Sequence, residues 1–103
     1  MKFYEALRDC IVGKKKIQRN FWGHNGMGKF VFFQPGYPEG IPINKNTSEA
    51  TGIPEGTVCK FKSYLQSWDG LTSFVHYIPS MDDLMSDDWE VVNSEVLNGP
   101  IGS

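Results

Sequence analysis

The sequence predicts an α+β fold: a small, mostly antiparallel sheet with an N-terminal helix, a long ordered loop and a short C-terminal helix. Three observations carry this. Apolar residues at helical spacing occur near the two ends of the chain, short β-branched and aromatic runs separated by turn residues fill the space between, and one proline- and glycine-rich stretch interrupts them.

The first element is read from "KFYEALRDCIVGKK", where Phe3, Ala6, Leu7, Cys10 and Ile11 recur at helical spacing. A helix from Phe3 to Ile11 puts that face on the core, and Gly13 is placed to end it in a left-handed cap. "KKIQR" follows as a short strand, "FWGHNGMG" as a glycine turn, and "KFVFFQ" as a well-buried strand, so a hairpin succeeds the helix. Further on, "TVCKFKSYL" and "LTSFVHYI" flank Asp69-Gly70, a strong hairpin signal. In "PSMDDLMSDDW", Ser80 is the expected N-cap of a short helix and Asp83 stands in the capping-box position. Asp82 and Asp83 both lie near the positive end of the helix dipole. "WEVV" makes a last short strand.

Between the second and third strands, residues 35–56 carry prolines at 35, 38, 42 and 54. A connection of this length is uncommon in a compact domain unless it is functional or disordered, and the prolines argue for a fixed path. "NTSEATG" can form one helical turn, capped by Asn46 or Thr47 and stopped by Gly52. The stretch is expected to be a rigid wall of a pocket or a packing surface between subunits. Residues 1–93 are expected to form a single ligand-binding domain, with 94–103 a frayed tail.

Composition bounds the function. With 103 residues, 40% apolar and 14% aromatic, the chain suits a globular fold with a small core. Ten Lys and Arg against 12 Asp and Glu leave a net charge of −2, too little positive field for a nucleic-acid polymer. The two cysteines, Cys10 and Cys59, read as buried thiols of a reducing compartment rather than a disulfide framework. Neither a leader-like segment nor a run of about 20 apolar residues is found, so the expectation is a soluble, intracellular protein without membrane contact.

Most constellations of chemical interest read as structure. Cys10, Cys59, His24 and His76 share no metal-ligand spacing, so no metal and no cofactor are expected. A nucleophilic pairing of Cys59 with His76 is conceivable, since a hairpin centred on Asp69 and Gly70 would set their strands side by side, but a packed thiol is the stronger reading. "GHNGMGKF" lacks the order of a phosphate loop. No catalytic residue is assigned. What remains is binding: "RNFWGHNG" sets Arg19, Phe21 and Trp22 together, and the long stretch adds Gln34, Tyr37, Asn44 and Asn46. Cations for phosphate, rings for a base and amides for ribose or base edges suit a nucleotide-sized ligand. Trp22 can equally anchor a core or an interface.

Three blocks carry a resemblance. The opening "MKFYEALRDCIVGKKKIQRNFW" contains Ala6, Leu7, Gly13, Lys14 and an RxxW of Arg19 and Trp22. The centre is "FFQPGYPEGIPINKNTSEATGIPEGTVCKFKSYL". The ending "SMDDLMSDDWEVVN" fits SxxDLxxxDWEVV through Ser80, Asp83, Leu84, Asp88 and Trp89. Across about residues 1 to 93 the sequence resembles the phage-encoded Thoeris anti-defence family of the second type.

That resemblance implies a non-enzymatic sponge. It would hold the cyclic ADP-ribose isomer made by bacterial TIR-domain proteins, glycocyclic ADP-ribose, in the cytoplasm of the infected host, with cyclic dinucleotides as a second ligand class. It implies a homo-oligomer, a tetramer built from dimers, with pockets between subunits. By motif, Trp22 and Asn93 map onto ligand contacts; Phe21, Arg19, Tyr37 and Tyr77 are expected beside them from their own chemistry. Arg19 has a second reading, as a tie between the sheet and the carboxylates near the C-terminal helix. Tyr77 stands beside His76 where family members often carry a tryptophan. The alternatives are a nucleotide-degrading enzyme and a protein–protein adaptor.

Overall fold

The computed structural model of the protein describes residues 1–23 and 28–92. Its elements in chain order are α1 (Phe3–Ile11), β1 (Lys16–Arg19), β2 (Phe30–Gln34), β3 (Tyr37–Pro42), α2 (Lys45–Thr51), β4 (Val58–Phe61), β5 (Tyr64–Trp68), β6 (Phe74–His76), α3 (Met81–Met85) and β7 (Trp89–Val92). They form an α+β fold with two antiparallel sheets. The chain divides into two compact units, one of residues 1–33 with residues 65 onward, the other of residues 34–64.

In the larger unit the strand order is β6-β5-β2-β1-β7. β1 pairs antiparallel with β2 through Ile17 and Val31, and with β7 over four positions from Lys16↔Val92 to Arg19↔Trp89. Being flanked on both sides, β1 buries two successive residues of opposite faces, Ile17 and Gln18. α1 supplies Phe3, Ala6 and Cys10 to the core, which continues through Ile17, Val31, Tyr77 and Trp89. The Phe3 and Trp89 rings lie 5.0 Å apart at a tilt. Each such buried ring stabilises the fold by roughly 1.5–3 kcal/mol.

Local chemistry sets the ends of these elements. The Lys2 amide donates to Glu5 Oε1 at 3.0 Å at the start of α1. Its end differs from the glycine cap expected: the left-handed residue is Lys14, at φ 54°, one position beyond Gly13. Gly13 is instead needed for space, because a Cβ there would meet the Asp9 carbonyl oxygen at 2.7 Å. α3 carries the capping box as expected, the Asp83 amide donating to Ser80 Oγ at 3.1 Å and the Ser80 amide to Asp83 Oδ2 at 3.3 Å. Between β5 and β6, one oxygen of Asp69 accepts from the amides of Leu71, Thr72 and Ser73 at 2.7, 2.9 and 3.1 Å. These bonds hold the Asp69 carboxyl below its ordinary pKa, against a smaller effect of burial.

The smaller unit, 34–64, is a two-stranded ribbon of β3 and β4 with α2 between them. Tyr37 opposes Phe61, Ile41 opposes Cys59 and Pro42 opposes Val58, with an irregular register between Tyr37 and Ile41. Gly40, at φ 90°, lies in that irregularity. The expectation of one helical turn in "NTSEATG" holds with a shifted start. Asn44 is the cap, its Oδ1 accepting from the Thr47 amide at 2.9 Å, and Gly52 closes α2 at φ 80°.

Two sequence readings are corrected. The run "TVCKFKSYL" is split into β4 and β5, which belong to different sheets; β5 is the strand that turns back through Asp69-Gly70 into β6. Cys59 therefore stands opposite Ile41 and His76 opposite Gln66, which removes the side-by-side arrangement proposed for them. The second correction concerns residues 37–42, which form a strand despite two prolines. A ribbon with no further neighbour in its sheet tolerates residues that cannot donate.

Candidate functional site

β1 ends at Arg19, and the chain turns at once. The Trp22 amide donates to the Arg19 carbonyl at 3.0 Å, and the Asn20 amide donates to the Asp88 carbonyl at 3.0 Å. The loop that follows is pinched at its neck. The Lys29 amide donates to the Trp22 carbonyl at 3.2 Å, and a Cβ on Gly23 would approach Gly28 Cα to 2.7 Å. Only glycine pairs at such a neck. Gln18, buried in β1, holds it from below, with Nε2 donating to the Gly23 carbonyl at 2.6 Å and to Glu90 Oε1 at 2.9 Å.

That turn presents Trp22 partly exposed, with its ring packed on the core. Trp22 meets Trp89 at 5.2 Å and Tyr77 at 6.4 Å between centroids, both nearly edge-on. Phe21, 64% exposed, stands edge-on to Trp22 at 6.5 Å. Two cations lie on these rings: the Arg19 guanidinium 4.6 Å from the centre of Phe21, and the Lys29 ammonium 4.4 Å from the centre of Trp22.

Arg19 is at the same time committed to carboxylates. Its Nε and Nη2 donate to the two oxygens of Asp88 at 2.9 and 3.2 Å, and Nη1 donates to Asp83 Oδ1 at 3.3 Å. The other Asp83 oxygen accepts from the Tyr77 hydroxyl at 2.9 Å, and the Asp83 carbonyl accepts from the indole of Trp89 at 2.7 Å. The tie between sheet and C-terminal carboxylates is thus present. Asp88 is held below the usual carboxylate range mainly by the Arg19 hydrogen bonds. Burial works to raise Asp83, but the Tyr77 hydroxyl, Ser80 and Arg19 outweigh it and its carboxyl also sits low. Burial and the neighbouring Asp83 carboxylate push the Tyr77 hydroxyl well above its ordinary value.

The structure brings four of the expected site residues together: Arg19, Phe21, Trp22 and Tyr77. Phe21 and Trp22 offer ring surface. Tyr77 is buried, its hydroxyl already donated to Asp83. Tyr37 belongs to the smaller unit, where its ring stands edge-on to Phe61 at 6.4 Å. Asn93 lies outside the described residues. Lys29 was not foreseen from the sequence. No sequence spacing marks it, because its place on Trp22 depends on the backbone bond from the Lys29 amide to the Trp22 carbonyl.

Other chemistry has less support. Burial pushes the Cys10 thiol up to about 11, so it stays protonated and unreactive. Among the described residues no cluster of three or more His, Cys, Asp or Glu is placed to hold a metal ion. No helix among them is long and apolar enough to cross a membrane. A hollow of about 220 Å³ between the starts and ends of α1 and α3, lined by Lys2, Tyr4, Leu84, Met85, Ser86 and Asp87, is smaller than pockets that enclose drug-sized ligands, roughly 300–1,000 Å³.

Comparison with curated proteins finds no significant match. The family model described as the Thoeris anti-defense 2-like domain matches residues 1–92, from Met1 ahead of α1 to Val92, the last residue of β7. Both the RxxW turn and the Asp83–Asp88 carboxylates that grip its arginine fall inside that match. The chain therefore belongs to the Thoeris anti-defense 2-like domain family, which assigns it a role in countering Thoeris defence.

Proposed function

We propose that the protein acts in the infected bacterial host by capturing a cyclic ADP-ribose-type signal, glycocyclic ADP-ribose, and holding it without turnover. The observation that carries this is the fixed setting of Trp22. Its backbone is hydrogen-bonded at both amide and carbonyl, its ring rests on Trp89 and Tyr77, and its turn is clamped through Arg19 to Asp83 and Asp88. A ring surface fixed before the ligand arrives loses little freedom on binding. Stacking of one base on it contributes about 1–3 kcal/mol.

Competing with a signalling receptor requires a dissociation constant near nanomolar, about −12 kcal/mol. One stack does not reach that. The reading therefore includes a pocket shared between subunits of a homo-oligomer, where rings and polar groups of two copies surround the ligand. Family membership is in keeping with a non-catalytic role, and the protonated Cys10 thiol supplies no nucleophile. Cyclic dinucleotides are a second ligand class for such a protein.

Calorimetry with glycocyclic ADP-ribose should give saturable heat, and denaturing the complex should return the ligand unchanged. Recovery of an altered product would convert the reading to an enzyme; absence of heat would sink it. Trp22→Ala should abolish capture while leaving the far-ultraviolet circular dichroism of the fold in place.

A further inference from the structure

We infer that Lys29, not Arg19, is the cation that pairs with the phosphates of the captured ligand, and that it leaves the Trp22 ring to do so. The inference rests on the capture reading above and assigns a specificity-determining residue to it. Two cations stand beside the candidate stacking surface, and their circumstances differ. Arg19 spends Nε, Nη1 and Nη2 on Asp83 and Asp88, two carboxylates against one guanidinium, so it brings no uncompensated positive charge to a ligand. Lys29 is partly exposed, and among the described residues it has no carboxylate within ion-pair distance. Its ammonium rests 4.4 Å from the centre of Trp22.

A cation on a partly exposed ring is weakly held compared with one paired to phosphate. A base stacked on the ring surface under that ammonium has to displace it. The lysine stem allows this, because the Lys29 amide stays anchored by its hydrogen bond to the Trp22 carbonyl while four rotatable side-chain bonds remain. Stacking and phosphate pairing are then two halves of one event. An aromatic ligand without phosphate would strip Lys29 of its ring and return nothing to it, so the site selects phosphate-bearing nucleotides over bare bases.

The test compares wild type with Lys29→Met, Lys29→Gln and Lys29→Arg by calorimetry with glycocyclic ADP-ribose at low and high salt. Either neutral variant should bind about 10- to 100-fold more weakly at low salt, the loss of one charge-assisted contact. That gap should shrink at high salt, where the phosphate contact is screened. Lys29→Arg should recover most of the affinity, a result that packing of the stem alone would not produce. Equal affinity of wild type and the neutral variants would overturn the assignment, as would a gap indifferent to salt. Wild type that binds no ligand would instead remove the capture reading itself.

Discussion

The two units of the molecule solve the same problem with different means. The larger one packs seven buried core residues from α1, β1, β2, α3's approach and β7, and holds a partly buried charged network beside them. In the smaller one Ile43 alone is fully buried, while Tyr37, Val58, Phe61 and Ile53 are exposed. A two-stranded ribbon is at best marginally stable on its own. Its order comes from local devices: the Asn44 cap, the left-handed stop at Gly52, prolines that restrict the unfolded chain, and the exchange of bonds between Ile43, Thr57 and Gly56. Where a core is available, sequence positions can be spent on a polar clamp; where it is not, nearly every position is a backbone instruction.

The comparison can be broken most forcefully at Asp83. Asp83→Ala removes the acceptor of a buried hydroxyl and one anchor of Arg19, and should cost about 3 kcal/mol in urea unfolding. The pH dependence has a definite sign. Asp83 and Asp88 have folded pKa values below the unfolded value of about 3.9, so their contribution is present above that pH and is lost as the pH falls through the folded values. Wild type should therefore lose stability below about pH 4, and Asp83→Ala should show a shallower acid limb. An acid limb of unchanged slope would mean the clamp contributes little.

A smaller effect is expected at Ile43. Ile43→Ala should cost about 2–3 kcal/mol, felt first inside the smaller unit. Hydrogen exchange should quicken at the amides of Ile43, Gly56 and Thr57, while the β1–β7 amides keep their protection. Equal loss of protection in both units would show that they open together and dissolve the distinction. Smallest is Asn44→Ala, about 1 kcal/mol, with exchange quickening at Thr47 and no change in the β3–β4 pairing.

Much of the larger unit was legible because its signals are local. Helical spacing fixes Phe3–Ile11, Ser80 and Asp83 fix the start of α3, and alternation with β-branched residues marks the strands. The smaller unit was harder to read. Pro38, Gly40 and Pro42 speak against a strand in isolation, and only the pairing with β4, a non-local fact, makes one. That same pairing broke the apparent continuity of "TVCKFKSYL". At the candidate site, the tie from Arg19 to the carboxylates and the contact role of Trp22 came from the family resemblance; read alone, Asp83 is a cap and Trp22 equally a core anchor. Lys29 escaped notice because its meaning depends on a loop closing back on Trp22, which no spacing rule encodes.

The turn at Asp69-Gly70 has a consequence for the covalent durability of the chain. Among aspartates, one followed by glycine is the most open to backbone rearrangement, since the small glycine lets its own amide nitrogen attack the side-chain carboxyl. In this turn the carboxylate is kept ionised and is engaged by three amide donors from Leu71, Thr72 and Ser73. Ionisation makes it a poor electrophile, and the three bonds resist the rotation that attack requires. Isoaspartate formation at Asp69 should accordingly be slower in the folded chain than in an unfolded peptide of the same sequence, as peptide mapping after prolonged incubation would check.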